Sequence, residues 1–141
     1  MNFVDIKGNL HNKCILDIIS LSQYMPTEEK LNSLANKYET DADVFAFACD
    51  DNVITYGVII LKRLINDEFE ILNIATNPSV RSKGVASKLI SFAIKVLKCS
   101  IVKAETDDDA IGFYRKYGFQ IVSLGEKYQG TIRYICTLKL L

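Results

Sequence analysis

The chain carries no excess charge of either sign, since 17 lysines and arginines balance 17 aspartates and glutamates. No global field therefore draws nucleic acid or an anionic membrane to it, and neither is expected as a partner. Nowhere does an apolar run approach the ~20 residues that span a bilayer. The first residues, Met1-Asn-Phe-Val-Asp-Ile-Lys7, lack the basic region and long apolar core of a signal peptide. A cytoplasmic protein is expected. There is a single histidine, and the four cysteines, at 14, 49, 99 and 136, form no Cys-x-x-Cys pair. A metal site is therefore not expected. Each cysteine has apolar neighbours, which reads as buried, reduced thiol. The patterns GxxxxGK[ST] and GxGxxG are absent too, which argues against an α/β domain that binds ATP or NAD.

What is present suits one domain over residues 1–141. Apolar residues make up 49% of the chain, enough to fill a core at this length. There is no repeat, linker or low-complexity tract. Met1–Lys7 alternates weakly, as a first strand would. Ile15, Ile18 and Ile19 share a helical face in 12–22, and Thr27 is placed to cap a second helix through Tyr38. His11, before the first helix, reads as a surface or capping residue. Val44–Cys49 and Val53–Leu64 are rich in β-branched and aromatic residues around the turn Asp50-Asp51-Asn52, so they predict a hairpin. A third strand is expected over 68–76. Lys83–Lys98 is the clearest helix, with Val85, Leu89, Phe92, Ala93 and Val96 as its stripe. A strand over 100–106 follows at the distance of a βαβ crossover, so strands 68–76 and 100–106 should be parallel. The spacing then predicts a helix over 107–117 stopped by Gly118. A last hairpin is expected from strands 119–124 and 131–140 around Gly125–Gly130.

The stretch Glu70-Ile-Leu-Asn-Ile-Ala-Thr-Asn-Pro-Ser-Val-Arg-Ser-Lys-Gly-Val-Ala-Ser87 says most about function. A strand ends at Pro78, a glycine-containing turn follows, and a helix begins. The amides of Ser82, Lys83, Gly84, Val85, Ala86 and Ser87 are the unsatisfied donors of that helix start. Gly84 puts no Cβ in a ligand's path, Ala86 is small, and Arg81 and Lys83 add positive charge. A diphosphate suits such a place. Arg81-Ser-Lys-Gly84-Val-Ala86 fits the pattern Arg/Gln-x-x-Gly-x-Gly/Ala, which is weak alone and gains from its context.

With Phe113-Tyr114-x-x-x-Gly118-Phe119 one strand–helix unit further on, the chain resembles the GNAT superfamily of acetyl-CoA-dependent N-acetyltransferases. The resemblance covers about residues 43–141, and the helical pair at 12–40 fits more loosely. It implies an α/β (α+β) fold with a mixed, mostly antiparallel sheet of about seven strands, a central parallel pair and about four helices. It also implies acetyl-CoA as cosubstrate, lying where strands 68–76 and 100–106 splay. Backbone groups of Ile74, Ala75 and Thr76 would pair with the pantetheine arm. One N–H of Ala75 or Thr76 would polarise the thioester carbonyl. The 82–87 amides would hold the pyrophosphate, with Arg81, Phe113 and Asp107 as further cofactor contacts. The partner would be an amine-bearing small molecule or peptide, and the protein a monomer or homodimer.

Tyr114 stands where the family places its general acid, which would protonate the departing thiolate. Spacing alone favours a core aromatic on the stripe Ala110-Phe113-Tyr114-Tyr117, and the cofactor motif turns the reading to the acid. Glu70, five residues before Ala75, stands where some members carry the base that deprotonates the amine. Glu68 shares its face and is the second candidate, and either glutamate is otherwise an exposed strand residue. Tyr24, Tyr56, Tyr128 and Tyr134 are candidate linings of an acceptor pocket, or packing aromatics. The chain departs from many members in having Ser82 for glycine, which still offers its N–H. It also has Asp107 for asparagine, which accepts without donating and alternatively reads as a helix cap. Asp107-Asp108-Asp109 reads as a solvated helix start. A domain that binds CoA without catalysis is the alternative function. The acceptor itself is not legible.

Overall fold

In a computed structural model the chain forms β1 (Asn2–Asp5), α1 (Lys13–Ser20), α2 (Glu28–Thr40), β2 (Val44–Asp50), β3 (Thr55–Arg63) and β4 (Glu68–Thr76). Then follow α3 (Val85–Leu97), β5 (Ile101–Thr106), α4 (Ile111–Tyr117), β6 (Gln120–Tyr128) and β7 (Thr131–Lys139). Short 3-10 turns occupy Lys7–Asn9 and Pro78–Lys83. The structure describes residues 1–140, excepting the side chains of Arg81, Ser82, Lys127 and Tyr128.

The strands make one seven-stranded sheet in the order β1-β2-β3-β4-β5-β7-β6. All neighbours are antiparallel except β4 and β5. A parallel pair needs a crossover, and α3 supplies it on one face of the sheet. On that face Phe47, Ile59, Leu61, Phe69 and Val102 meet Val85, Leu89, Ile90 and Ala93 of α3 and Tyr114 of α4. The other face carries a second apolar layer, in which Ala46, Val58 and Ile60 meet Ile15, Ile18 and Ile19 of α1 and Ala35 and Tyr38 of α2. The core is thus two layers around one sheet.

Local chemistry sets the helix starts. The Asn12 side chain accepts from Cys14 N at 2.9 Å and caps α1. Thr27 accepts from Lys30 N at 3.1 Å, with Glu28 and Glu29 in the positive first turn of α2. His11 ties the preceding loop to α2, each ring nitrogen 2.8 Å from a side-chain oxygen, of Asn32 and of Asn36. Those contacts raise the imidazole pKa, the Asn32 bond most.

Several expectations need correction. Cys14 is exposed, because it sits on the solvent side of α1, while Cys49, Cys99 and Cys136 are buried. Val96 is exposed and Ile90 takes its place in the buried stripe of α3. The last helix begins at Ile111, not Asp107. Asp107 instead folds a turn, its carboxylate accepting from Asp109 N at 3.0 Å and its carbonyl from Ala110 N at 3.3 Å. β6 continues to Tyr128 through an irregular register on either side of Gly125, whose φ of 78° fits a bulge that bends a strand without ending it.

Candidate active site

Parallel pairing of β4 with β5 covers only Glu68 with Ile101, Phe69 with Val102 and Glu70 with Lys103. Beyond that point β4 stays on β3 as far as Thr76, and β5 stays on β7 as far as Thr106. The two strands therefore part and leave a wedge. A bulge in β4 accompanies the parting: Leu61 faces Ile71 while Ile60 faces Asn73, so Leu72 is the extra residue. Such a bulge bends its strand and increases its twist. Past Glu70 the β5-facing edge of β4 lacks a strand partner, and its backbone groups need another one.

A cavity of about 970 Å³ fills the wedge. Ile74, Ala75 and Thr76 line it from β4, Gly84, Val85, Ala86 and Ser87 from the start of α3, and Phe113, Tyr114 and Tyr117 from α4. The way into α3 explains the placement. Asn77 caps the 3-10 turn by accepting from Ser79 N at 3.1 Å, and Pro78 is pre-set for its first position. Gly84 ends that turn and begins α3 with φ 69° and ψ 25°, a left-handed conformation that glycine adopts freely. Among the described residues no side chain caps α3. Its first-turn N–H groups thus face the cavity as donors, at the positive end of a 13-residue helix. A Cβ on Gly84 would meet nothing within 4 Å, so the space beside it is open.

Tyr114 is only 4% exposed, yet it borders the cavity. Phe113 and Phe119 hold its ring edge-on, with centroids 5.2 and 5.1 Å away. Burial pushes its phenol up to about 12, with a smaller contribution from Cys136. The hydroxyl is therefore a proton donor throughout the neutral range.

A second, polar cavity of about 570 Å³ adjoins the first, and Tyr114, Asp109, Ala110 and Ile74 border both. Its other walls include Gln23 and Tyr24 from the α1–α2 connection, Asn73 from β4, Glu105 from β5, Asp107 just after it, and Arg133 from β7. Arg133 Nε lies 3.5 Å from a Glu105 carboxylate oxygen. The Tyr134 hydroxyl donates to Asp108 at 2.5 Å.

The sequence-predicted residues thus divide. Ile74, Ala75, Thr76, Gly84, Val85, Ala86, Ser87, Phe113 and Tyr114 come together around the first cavity. Asp107 borders the polar one instead. Lys83 is exposed at the rim of the turn and lines neither. The side chains of Arg81, Ser82 and Tyr128 lie outside the described residues. Glu70 lines neither cavity, because it sits in the last paired step of β4, across from Lys103. Glu68 is held 3.8 Å from Lys103 Nζ. Of the four tyrosines, Tyr24 borders the polar cavity. Tyr56 instead donates to Asp51 at 2.7 Å in the β2–β3 turn. The reading from sequence missed Asn73, Glu105, Asp109 and Arg133. Only Asn73 carried a signal, an amide inside an apolar strand.

A profile of the acetyltransferase (GNAT) domain matches residues 40–121, more than half of the chain. The chain belongs to the GNAT acetyltransferase family. It is accordingly an enzyme of the acetyl-CoA-dependent N-acetyltransferase class. No curated protein sequence matches this acetyltransferase. Among solved structures it is similar to an aminoglycoside 6′-N-acetyltransferase complexed with coenzyme A, at 14% identity and TM-score 0.79, covering 100% of this chain and 98% of the other. An acetyltransferase from Bacillus subtilis in complex with CoA aligns at 20% identity and TM-score 0.74, over 99% of both chains. A spermidine N-acetyltransferase from Vibrio cholerae aligns at 19% identity and TM-score 0.73, over 99% of this chain and 95% of that one. At these identities the likeness is one of fold. The matched span of the acetyltransferase runs from β2 to the start of β6. It leaves out the α1–α2 connection, which supplies Gln23 and Tyr24 to the polar cavity, and β7, which supplies Arg133. Among the described residues no helix is long and apolar enough to cross a membrane, and no group of three or more His, Cys, Asp or Glu is placed to hold a metal ion.

Proposed function

We propose that this acetyltransferase moves an acetyl group from acetyl-CoA to a primary amine by direct attack in a ternary complex. One observation carries the reading: a wedge that begins at bare helix amides meets a polar cavity at Tyr114. Acetyl-CoA fits what lines the wedge. The uncapped α3 amides and the open space at Gly84 suit its diphosphate, and the unpartnered edge of Ile74, Ala75 and Thr76 suits a pantetheine arm added like a strand. Asp107, on the polar side, is placed for the acceptor and not for the cofactor.

When bound, acetyl-CoA supplies an activated thioester. The chain's own residues do the rest. A β4 amide, of Ala75 or Thr76, offers a fixed donor where negative charge develops on the carbonyl oxygen. Tyr114 donates its proton to the sulfur that departs. On the acceptor side, three carboxylates face one guanidinium among the described lining residues, which favours entry of a protonated amine. That amine, with an ordinary pKa of ~10.4, must shed a proton before it attacks. Asp109 borders both cavities and is the carboxylate best placed to receive it. Glu70 lies outside the lining and acts only through a water.

A panel of polyamines, aminoglycosides, amino acids and peptides, scored by thiol release from acetyl-CoA, tests the reading, and silence across all four classes would favour a non-catalytic CoA-binding domain. With an accepted amine in hand, Asp109→Asn should lower kcat/KM about tenfold or more, and Glu70→Gln less than about threefold. The reverse order would return the base to Glu70. Gly84→Ala should weaken CoA in calorimetry by about tenfold, because the new methyl stands in the open space beside the helix amides. Its left-handed φ should also cost about 1 kcal/mol of stability.

A further inference from the structure

We propose that Asn73 is an acceptor-binding residue whose carboxamide holds the incoming amine at the wall of the polar cavity; this rests on the acetyltransferase reading above. Asn73 is 3% exposed, the one buried polar residue among the described core. Neither its Oδ1 nor its Nδ2 has a hydrogen-bond partner among the described residues. Buried amides are nearly always paired, because an unpaired one costs stability. The site does not demand an amide for shape. Asn73 pairs with Ile60 of β3, on the face that packs Val58, Ile60 and Leu72 against α1 and α2, where a leucine of the same branched shape would add apolar contact.

Its position explains what the amide does. Asn73 follows the bulge at Leu72, where β4 has already parted from β5, and it borders the polar cavity with Glu105, Asp107 and Asp109. The carboxamide is buried, so a hydrogen bond made to it forms away from bulk water. Its oxygen is neutral. It accepts an N–H from the ammonium on entry and from the free amine afterwards, without favouring the charged form as a carboxylate would. A site built to pair with a substrate N–H discriminates sharply against ligands that lack it, because its own buried group is then left bare.

Asn73→Leu separates this role from a structural one. Because the leucine removes two unpaired polar atoms, its melting temperature should rise by roughly a few degrees. The KM for the accepted amine should rise at least about tenfold, while calorimetry shows CoA affinity within about twofold of the parent. Asn73→Asp keeps an accepting oxygen and should return that KM to within about threefold of the parent. A lower melting temperature for Asn73→Leu would mean that the fold already satisfies the amide, and would overturn the inference. So would an unchanged amine KM in a protein that acetylates the parent's substrate. If the parent acetylates no amine at all, the acetyltransferase reading fails and this inference fails with it.

Discussion

Tyr114→Phe should lower kcat about 100-fold while leaving CoA affinity within about twofold. The hydroxyl is the atom removed, and the ring that Phe113 and Phe119 hold edge-on stays in place. Burial, and not a hydrogen bond, sets the phenol at about 12. The group therefore remains protonated wherever the enzyme would be assayed. Its titration should not bend the rate profile below about pH 11. A second readout comes from linkage. The folded pKa is raised above the ordinary value of 10.0, so the associated stability is fully present below pH 10 and is lost as pH rises towards 12. Two pKa units correspond to about 3 kcal/mol. Urea unfolding across pH 9–12 should show a smaller loss in Tyr114→Phe than in the parent, the remainder coming from Tyr38 and Cys99, which burial also raises. A variant that keeps full turnover would reduce Tyr114 to a core aromatic. One that loses turnover and CoA binding together would point to a collapsed wedge.

The legible half of the site was the half built by backbone. Pro78, Gly84 and Ala86 announce a turn and a bare helix start in the sequence itself, because proline and glycine act through φ, which is local. The crossover length from 68–76 to 100–106 announced the parallel pair, because chain reach decides it. The acceptor half was hidden for the opposite reason. Asn73, Asp109 and Arg133 come from β4, the turn after β5, and β7, and only the folded sheet brings them together. Glu70, which the family resemblance offers as the base, shows that a shared strand does not fix a shared cavity. It shares a strand with Ala75, but the bulge at Leu72 and the point of parting lie between them, so it stays beside Lys103 while Ala75 borders the wedge. The three aspartates at 107–109 read as a helix start. The helix begins later because Asp107 folds its own turn, in competition with the helical pattern. The extent of β6 is not legible because Gly125 reads as the end of a strand that it only bends.

Gly57→Ala should produce the largest loss of stability, and the reason lies under α3. A Cβ at Gly57 would come 2.9 Å from Val85 Cγ1, 3.0 Å from Leu89 Cδ1 and 3.1 Å from the Ala75 carbonyl oxygen. Leu89 is 0% exposed, and Val85, at 1%, borders the cofactor cavity, so the clash is relieved only at the expense of the core or of that cavity. The carbonyl belongs to β4, which Gly57 pairs with through Thr76. The helix start must therefore lift off the sheet at the place where the wedge needs its amides. Overpacking of this kind costs about 1–3 kcal/mol. The urea midpoint should fall with the slope unchanged, and CoA affinity should fall about tenfold because the α3 amides and the Ala75 edge no longer face one ligand together. Gly112→Ala is the control. The same methyl meets nothing within 4 Å there, on the exposed side of α4, and should raise stability by about 0.5–1 kcal/mol. If Gly57→Ala lost stability but bound CoA as the parent does, the tight seat of α3 on the sheet would serve the core alone. Loss of both would tie that one missing methyl to the cofactor wedge.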